Sequence, residues 1–363
     1  MRRREFLAGA AAAMTAAGRP TLWAQAQTPA KAKQSTLDRI AIMTLNFQRI
    51  LKVPDVQDSP ERTLELFDIG EMIADKYGVH KVEFQHYHIA STEPSYLKEL
   101  RSRLEKVKSR ATQINLEFSG LNMSAPRLRD RLMAIDLTKA WVDHAVLMGA
   151  QRVMVNQGAQ GGADSVMPTH ENKVYGIPAL KAMADYGRSK GIIVSVETRG
   201  GGGGGRGRGN AQGAAAPAGG APGAAAAAPG SAAPGSAAPG SAAPGAAAPA
   251  PAPAAPATPP PPAMASPEVW ALLLEILKAA GAYSNVDVGG AAAKNQEELH
   301  QCLKMLFPVT AGTMHTRVST NWDLATAIKF LEQDLGYKGL YTIEAGNGHE
   351  GTQPIYDVVV ATL

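Results

Sequence analysis

Eight short apolar runs recur along this chain with amphipathic stretches between them, and that alternation leaves few folds open. The runs are RIAIMTLNF (39–47), KVEFQHYHI (81–89), INLEFSGLNM (114–123), RVMVNQG (152–158), IIVSVETR (192–199), YSNVDVGG (283–290), TAGTMHTRVS (310–319) and GLYTIEAG (339–346). Between them, segments such as TLELFDIGEMIADKYG, PSYLKELRSRLEKVKS, AIDLTKAWVDHAVLMGA and WDLATAIKFLEQDLGY place apolar residues at three- and four-residue steps, the spacing of one helix face. Strands joined through helices pair in parallel, so eight such units predict an α/β protein, a closed (β/α)8 TIM barrel. An open doubly wound sheet is the alternative. It usually carries a Gly-rich phosphate loop after its first strand, and IMTLNFQRILKV has none.

Four of the runs end on a group that can hold a cation: Glu197, Asp287, His315 and Glu344. Charged residues at strand ends are poorly placed for a core and well placed for the mouth of a barrel, where strand C-termini and the following loops build active sites. Two Glu, one Asp and one His make a hard, mostly oxygen ligand set for a divalent metal ion, with Mn, Mg, Co, Zn and Fe all compatible. Taken singly, each has a structural explanation: a surface pair of Glu197 with Arg199, a turn aspartate, a satisfied histidine, a helix cap. Four in register on consecutive strands 5 to 8 favour a shared site.

Two segments stand apart from the repeat. Residues 1–26 have a charged start, a short Ala/Gly-rich middle and a small-x-small end, Ala24-Gln25-Ala26, which predicts a cleaved export signal; the apolar run is too short for a stable membrane span. Arg3-Arg4 followed by Glu5-Phe6-Leu7 is similar to the twin-arginine pattern. That similarity implies the twin-arginine export machinery as a partner, a periplasmic location and a protein exported already folded. Residues 200–262 are almost entirely Gly, Ala, Pro and Ser, with GSAAP repeated from Gly230. Such a tract buries too little apolar area to offset the entropy of ordering it and is predicted to be disordered. A strand runs into it and a helix, SPEVWALLLEILKAAG, leaves it. Ser266 suits the N-cap and Pro267 the first helical position. The tract is therefore an expanded loop inside one barrel made of residues 27–199 and 263–363, close to the ~250 residues typical of the fold.

Composition removes other classes. The formal charge of +4 is concentrated at the N-terminus, in Arg2, Arg3, Arg4 and Arg19, so the folded part offers no basic face for nucleic acid. Cys302 is the only cysteine, in a helix-like stretch, and reads as a buried small apolar residue rather than a nucleophile.

These residues together resemble the sugar phosphate isomerase/epimerase family, the xylose isomerase-like TIM barrels. VSVETRG, NVDVGG, MHTRVS and GYKGLYTIE supply Glu197, Asp287, His315 and Glu344, and GYKGLYTIE is the most specific of them, similar to the family's closing G-Y-x-G-x-x-x-x-E segment. The resemblance implies that all four residues hold a divalent ion and that Glu197 and Glu344 are also the catalytic acid and base. VEFQHYHI looks like the family's second strand, with Glu83 inside the barrel and His86 and His88 at its exit; His88, Glu83 and Arg317 are the substrate-binding candidates. Gly290 stands where family epimerases often carry a histidine that touches sugar hydroxyls, so their substrate contacts do not transfer. His349 and Glu350, in GNGHEG, read as a solvated turn.

The expected reaction is proton abstraction beside a carbonyl of a sugar or keto-sugar, through an enediolate, with the metal acidifying the C–H bond. A metal-dependent lyase or hydrolase of keto-sugars or glycosides would use the same ligands. A non-catalytic sugar-binding barrel is the alternative of a different class. Self-association into a homo-oligomer stays open.

Overall fold

A computed structural model describes residues 32–54, 56–118, 121–156, 169–198, 267–288 and 293–363, with the side chains of Pro267 and Glu268 left aside. The export signal, the 200–262 tract, Ser266, Arg199 and Gly290 lie outside the described residues.

Eight strands are present: β1 Ile40–Met43, β2 Lys81–Gln85, β3 Arg110–Leu116, β4 Arg152–Val155, β5 Ile193–Glu197, β6 Tyr283–Asp287, β7 Thr310–Thr316 and β8 Leu340–Ile343. Each pairs in parallel with its sequence neighbours, and β1 pairs with β8, so the sheet closes into a barrel. A short helix, α1 (Gln34–Leu37), precedes it. The crossovers are α2 Ile69–Tyr77, α3 Pro94–Lys106, α4 Leu128–Met148, α5 Lys173–Ser189, α6 Pro267–Ala280, α7 Gln296–Leu306 and α8 Leu324–Lys329, and α9 (Gly348–Thr362) follows β8. This is the expected TIM barrel. Among the described helices, none is long and apolar enough to cross a membrane.

Several boundaries differ from the sequence expectation. The first two runs were expected to stay extended to 47 and 89, but each turns into a 3-10 helix, Thr44–Phe47 and His86–His88. The third strand lies earlier than expected, at Arg110–Leu116, because the chain leaves the sheet at Glu117. Periodicity reads the apolar run but not the point where a strand turns outward at the barrel mouth. The helix after β7 changes to a π turn at Phe330–Asp334. On that turn Glu332 accepts hydrogen bonds from Arg39 Nη1 at 2.7 Å and from the Tyr341 hydroxyl at 2.7 Å, which ties the start of β1 to β8.

Side chains alternate along each strand, and here the two faces differ in kind. Ile42, Phe84, Ile114, Val153, Val196, Met314 and Ile343 face the helices, pack against Leu97, Leu100, Val142, Leu180, Leu277 and Ile328, and form the main core. A fully buried side chain of this type contributes about 1.5–3 kcal/mol. The opposite parity fills the barrel axis with Glu83, Gln113, Asn115, Ser195, Asn285, Thr313 and Thr342, alongside Met43 and Met154, all buried. Bulky aliphatics usually occupy that layer. A polar axis is costly for folding and has to be explained by the site above it.

Candidate metal centre

Glu197 is the last residue of β5, Asp287 the last of β6, His315 the sixth of seven in β7, and Glu344 follows β8 directly. The ladder sets their height. Asp287 lies opposite His315, and His315 opposite Thr342, so the side chains emerge at one level of the mouth. All four are buried.

Three of the four converge on one point. His315 Nδ1 lies 3.0 Å from Glu344 Oε2 and 3.2 Å from Glu197 Oε1. One ligand atom from each of Glu197, His315 and Glu344 falls within 4.8 Å of the others, a span that one ion can bridge. Asp287 is beside this group rather than in it. Its Oδ2 lies 3.1 Å from Arg317 Nη2, which also pairs with Glu344 Oε1, and its backbone N–H donates to Thr198 Oγ1 at 3.0 Å. Arg317 therefore sits against two candidate ligands.

The electrostatics favour a cation. Glu83, Glu197, Asp287 and Glu344 are buried carboxyls, and among the described residues the cations in direct contact with them are His315 and Arg317. Burial pushes Asp287 up to about 6; Arg317 pulls it down, while Glu344 and Glu197 push it further up. Burial opposes the charge on Glu344 too, but Arg317 and His315 outweigh it and hold that carboxyl below its usual range. Burial would keep His315 neutral, and Glu83 and Glu344 overcome it, so its pKa lies well above 6.5. A surplus of dry carboxylates around one imidazole is a donor set suited to a hard divalent ion, and the residues present fit the expected group.

The substrate-binding candidates are distributed unevenly. Glu83 lies below the rim, fully buried, with Oε1 2.6 Å from His315 Nε2. His88 is at the mouth, where its Nδ1 contacts Thr44 Oγ1 at 2.8 Å and its Nε2 has no partner among the described residues. His86 turns away toward the helices. It accepts from Glu117 N–H at 3.1 Å and lies tilted against Phe118 and edge-on to Trp141. The two histidines share a 3-10 turn rather than continuing the strand, which is how they come to face different ways. At and past the strand ends, both polar atoms of Asn156, Gln85 Oε1 and Trp322 Nε1 are also buried without a partner among the described residues. His349 does not sit in a solvated turn; it lies in the first turn of α9 and bonds the Tyr77 hydroxyl at 2.9 Å. Cys302 is buried, as expected.

Sequence reasoning missed Gln113, Asn115, Asn285 and Thr198. The first three had a readable signal: polar residues two apart on buried strands, in Gln113/Asn115 and Asn285/Asp287.

No protein-family model matches the sequence. No curated protein matches it either. Solved structures do. D-psicose 3-epimerase from Clostridium cellulolyticum H10, solved with D-tagatose, aligns with TM-score 0.55 at 10% identity, over 88% of this chain and 89% of that one. A 3-keto-D-glucoside 4-epimerase from E. coli aligns with TM-score 0.55 at 9% identity, over 90% and 100%. A xylose isomerase domain protein from Planctomyces limnophilus aligns with TM-score 0.53 at 11% identity, over 90% and 96%. The fold shared with them is the (β/α)8 barrel. Within it the four strand-end residues occupy the C-terminal mouth, the face on which TIM-barrel active sites are built.

Proposed function

We propose that this chain is a divalent-metal-dependent sugar isomerase or epimerase. The observation that carries the reading is the meeting of Glu197 and Glu344 at the Nδ1 edge of His315 in the barrel mouth. Neighbours in fold support the substrate class: they include epimerases of D-psicose, L-ribulose and a 3-keto-D-glucoside.

Glu197, His315 and Glu344 would hold the ion, with Asp287, beside them, as the fourth ligand. When bound, such an ion supplies Lewis acidity that polarises a carbonyl and acidifies the neighbouring C–H. Proton movement falls to the chain's own carboxylates. Glu197 and Glu344 come from β5 and β8, the two ends of the four-strand arc, so a sugar lying between them meets one carboxylate on each side. One removes the proton beside the carbonyl and the other delivers one. Arg317 helps keep Glu344 in its base form at neutral pH. His88 and Arg317, with Asn156 and Trp322, offer polar atoms to hydroxyls at the rim. His88 is neutral there: burial, then His86 and Arg62, push its pKa down to about 3.

The deciding experiment is metal analysis of the purified protein followed by incubation with keto-sugars in heavy water. Stoichiometric metal and deuterium entering the carbon beside the carbonyl are expected. Sugar binding that a chelator leaves unchanged, with no exchange, would show a binding barrel instead. We further propose that residues 1–26 direct twin-arginine export to the periplasm. Fusing them to a folded reporter tests this, and a reporter retained in the cytoplasm sinks it.

A further inference from the structure

We infer that Glu83 is a positioning residue for the metal centre: it holds the proton of His315 on Nε2 and so turns the Nδ1 lone pair toward Glu197 and Glu344. This rests on the metal reading above and goes beyond its ligand set.

Glu83 is on β2, across the barrel from β7, and has no exposed surface. A carboxylate on a barrel axis is a costly placement where an aliphatic residue would fold more easily. Its surroundings show what it is held for. Glu83 Oε1 accepts from Asn115 Nδ2 at 2.8 Å and Gln113 Nε2 at 3.2 Å, while Gln113 Nε2 also reaches Asn115 Oδ1 at 2.9 Å. Two amides from β3 thus pin one oxygen, and that same oxygen lies 2.6 Å from His315 Nε2. An oxygen already accepting from two N–H groups is an acceptor toward the ring as well, so the proton of this short contact belongs to Nε2. Nδ1, the other nitrogen, is the one that faces Glu197 and Glu344.

Asn285 Nδ2 also lies near this nitrogen, at 2.9 Å, and 3.0 Å from Met154 Sδ. With the single Nε2 proton directed to Glu83, the amide N–H is left to the sulfur. A metal-bound histidine generally donates its second N–H to a carboxylate or carbonyl, which fixes its tautomer and its orientation. Glu83 meets that requirement from inside the barrel, where it has no exposed surface. On this reading it positions His315 rather than touching the sugar.

The test uses the full chain with Glu83→Gln and Glu83→Leu. Manganese affinity is measured by electron paramagnetic resonance of free Mn2+, with near-ultraviolet circular dichroism to verify tertiary packing. Both variants are expected to bind Mn2+ about 10–100-fold more weakly than wild type while keeping the native spectrum. In addition, 15N-histidine NMR of zinc-loaded wild type should show His315 protonated at Nε2. This readout needs no variant and tests whether Nδ1, rather than Nε2, is the nitrogen that faces the ion. Folded E83Q binding Mn2+ within about twofold of wild type, or His315 protonated at Nδ1 in the zinc-loaded protein, overturns the inference alone. Wild type that binds no Mn2+ overturns the metal reading and this inference with it.

Discussion

Glu344 joins three relationships in one carboxyl: an ion pair with Arg317, a contact with His315 Nδ1 and a place on the open side of the barrel. Glu344→Gln keeps the shape and removes both the charge and the base. Deuterium exchange at the substrate carbon should fall at least about 100-fold, with the fold unchanged by circular dichroism; exchange at the wild-type rate would remove Glu344 from the chemistry. His86 makes a different prediction. Burial pushes its pKa down to about 4, against a weaker upward pull from the Asn115 carbonyl. The unfolded chain takes up that proton near 6.5, so the contribution to stability is complete above 6.5 and is lost as pH falls from there toward 4. Its full size is about 3 kcal/mol. His86→Gln should flatten that limb of the urea-unfolding free energy between pH 6.5 and 4, and an unchanged slope would place the titration elsewhere. The strand-end acids and His315 were legible because each closes an apolar run. Glu83 was visible as an interior acid, but its partnership with His315 was not: the two are 232 residues apart and meet only across the closed barrel.

Among the elements, the seam between β1 and β8 closes the sheet and has its own latch. Arg39 donates to Gly339 O at 3.1 Å, to Tyr337 O at 3.1 Å and to Glu332, and its guanidinium lies 5.8 and 5.4 Å from the Tyr337 and Tyr341 ring centres. Arg39→Ala leaves Glu332 and two carbonyls short of donors. The pair is partly solvated, so the expected cost is about 2 kcal/mol, below the range for fully buried pairs, read from denaturant midpoints. The GYKGLYTIE segment, singled out in the sequence as a motif, has its physical reason at this seam. Gly336 ends the π turn at φ +68°, and a Cβ on Gly339 would collide with the Tyr337 hydroxyl and the Gly312 carbonyl. Gly339→Ala should destabilise by about 1–3 kcal/mol, the usual cost of overpacking, and lower the melting temperature. The π turn itself was not legible. WDLATAIKFLEQDLGY keeps an ordinary helical spacing, and the extra residue is stabilised by contacts of Glu332 with Arg39 and Tyr341, one of them distant in sequence.

At the scale of the whole molecule, β5 and β6 pair as direct neighbours although the 200–262 tract separates them in sequence. If the tract contributes only connectivity, replacing it with a linker about tenfold shorter should raise stability by about 2 kcal/mol through the smaller entropy of loop closure. A loss of stability, or weaker Mn2+ binding than the parent chain, would give the tract a structural role. The repeat of eight units was readable because each unit is local; the polar axis was not, since it exists only once the barrel is closed. Outward-facing strand residues supply the apolar packing, while inward-facing ones carry amides, hydroxyls and acids. A variant library scored twice, once for cellular abundance and once for turnover, should therefore split by odd and even positions within a single strand. Selection for folding and selection for chemistry would act on alternate residues of the same five-residue segment, Ile193–Glu197 among them. A new activity could then arise on one parity while the other keeps the protein intact.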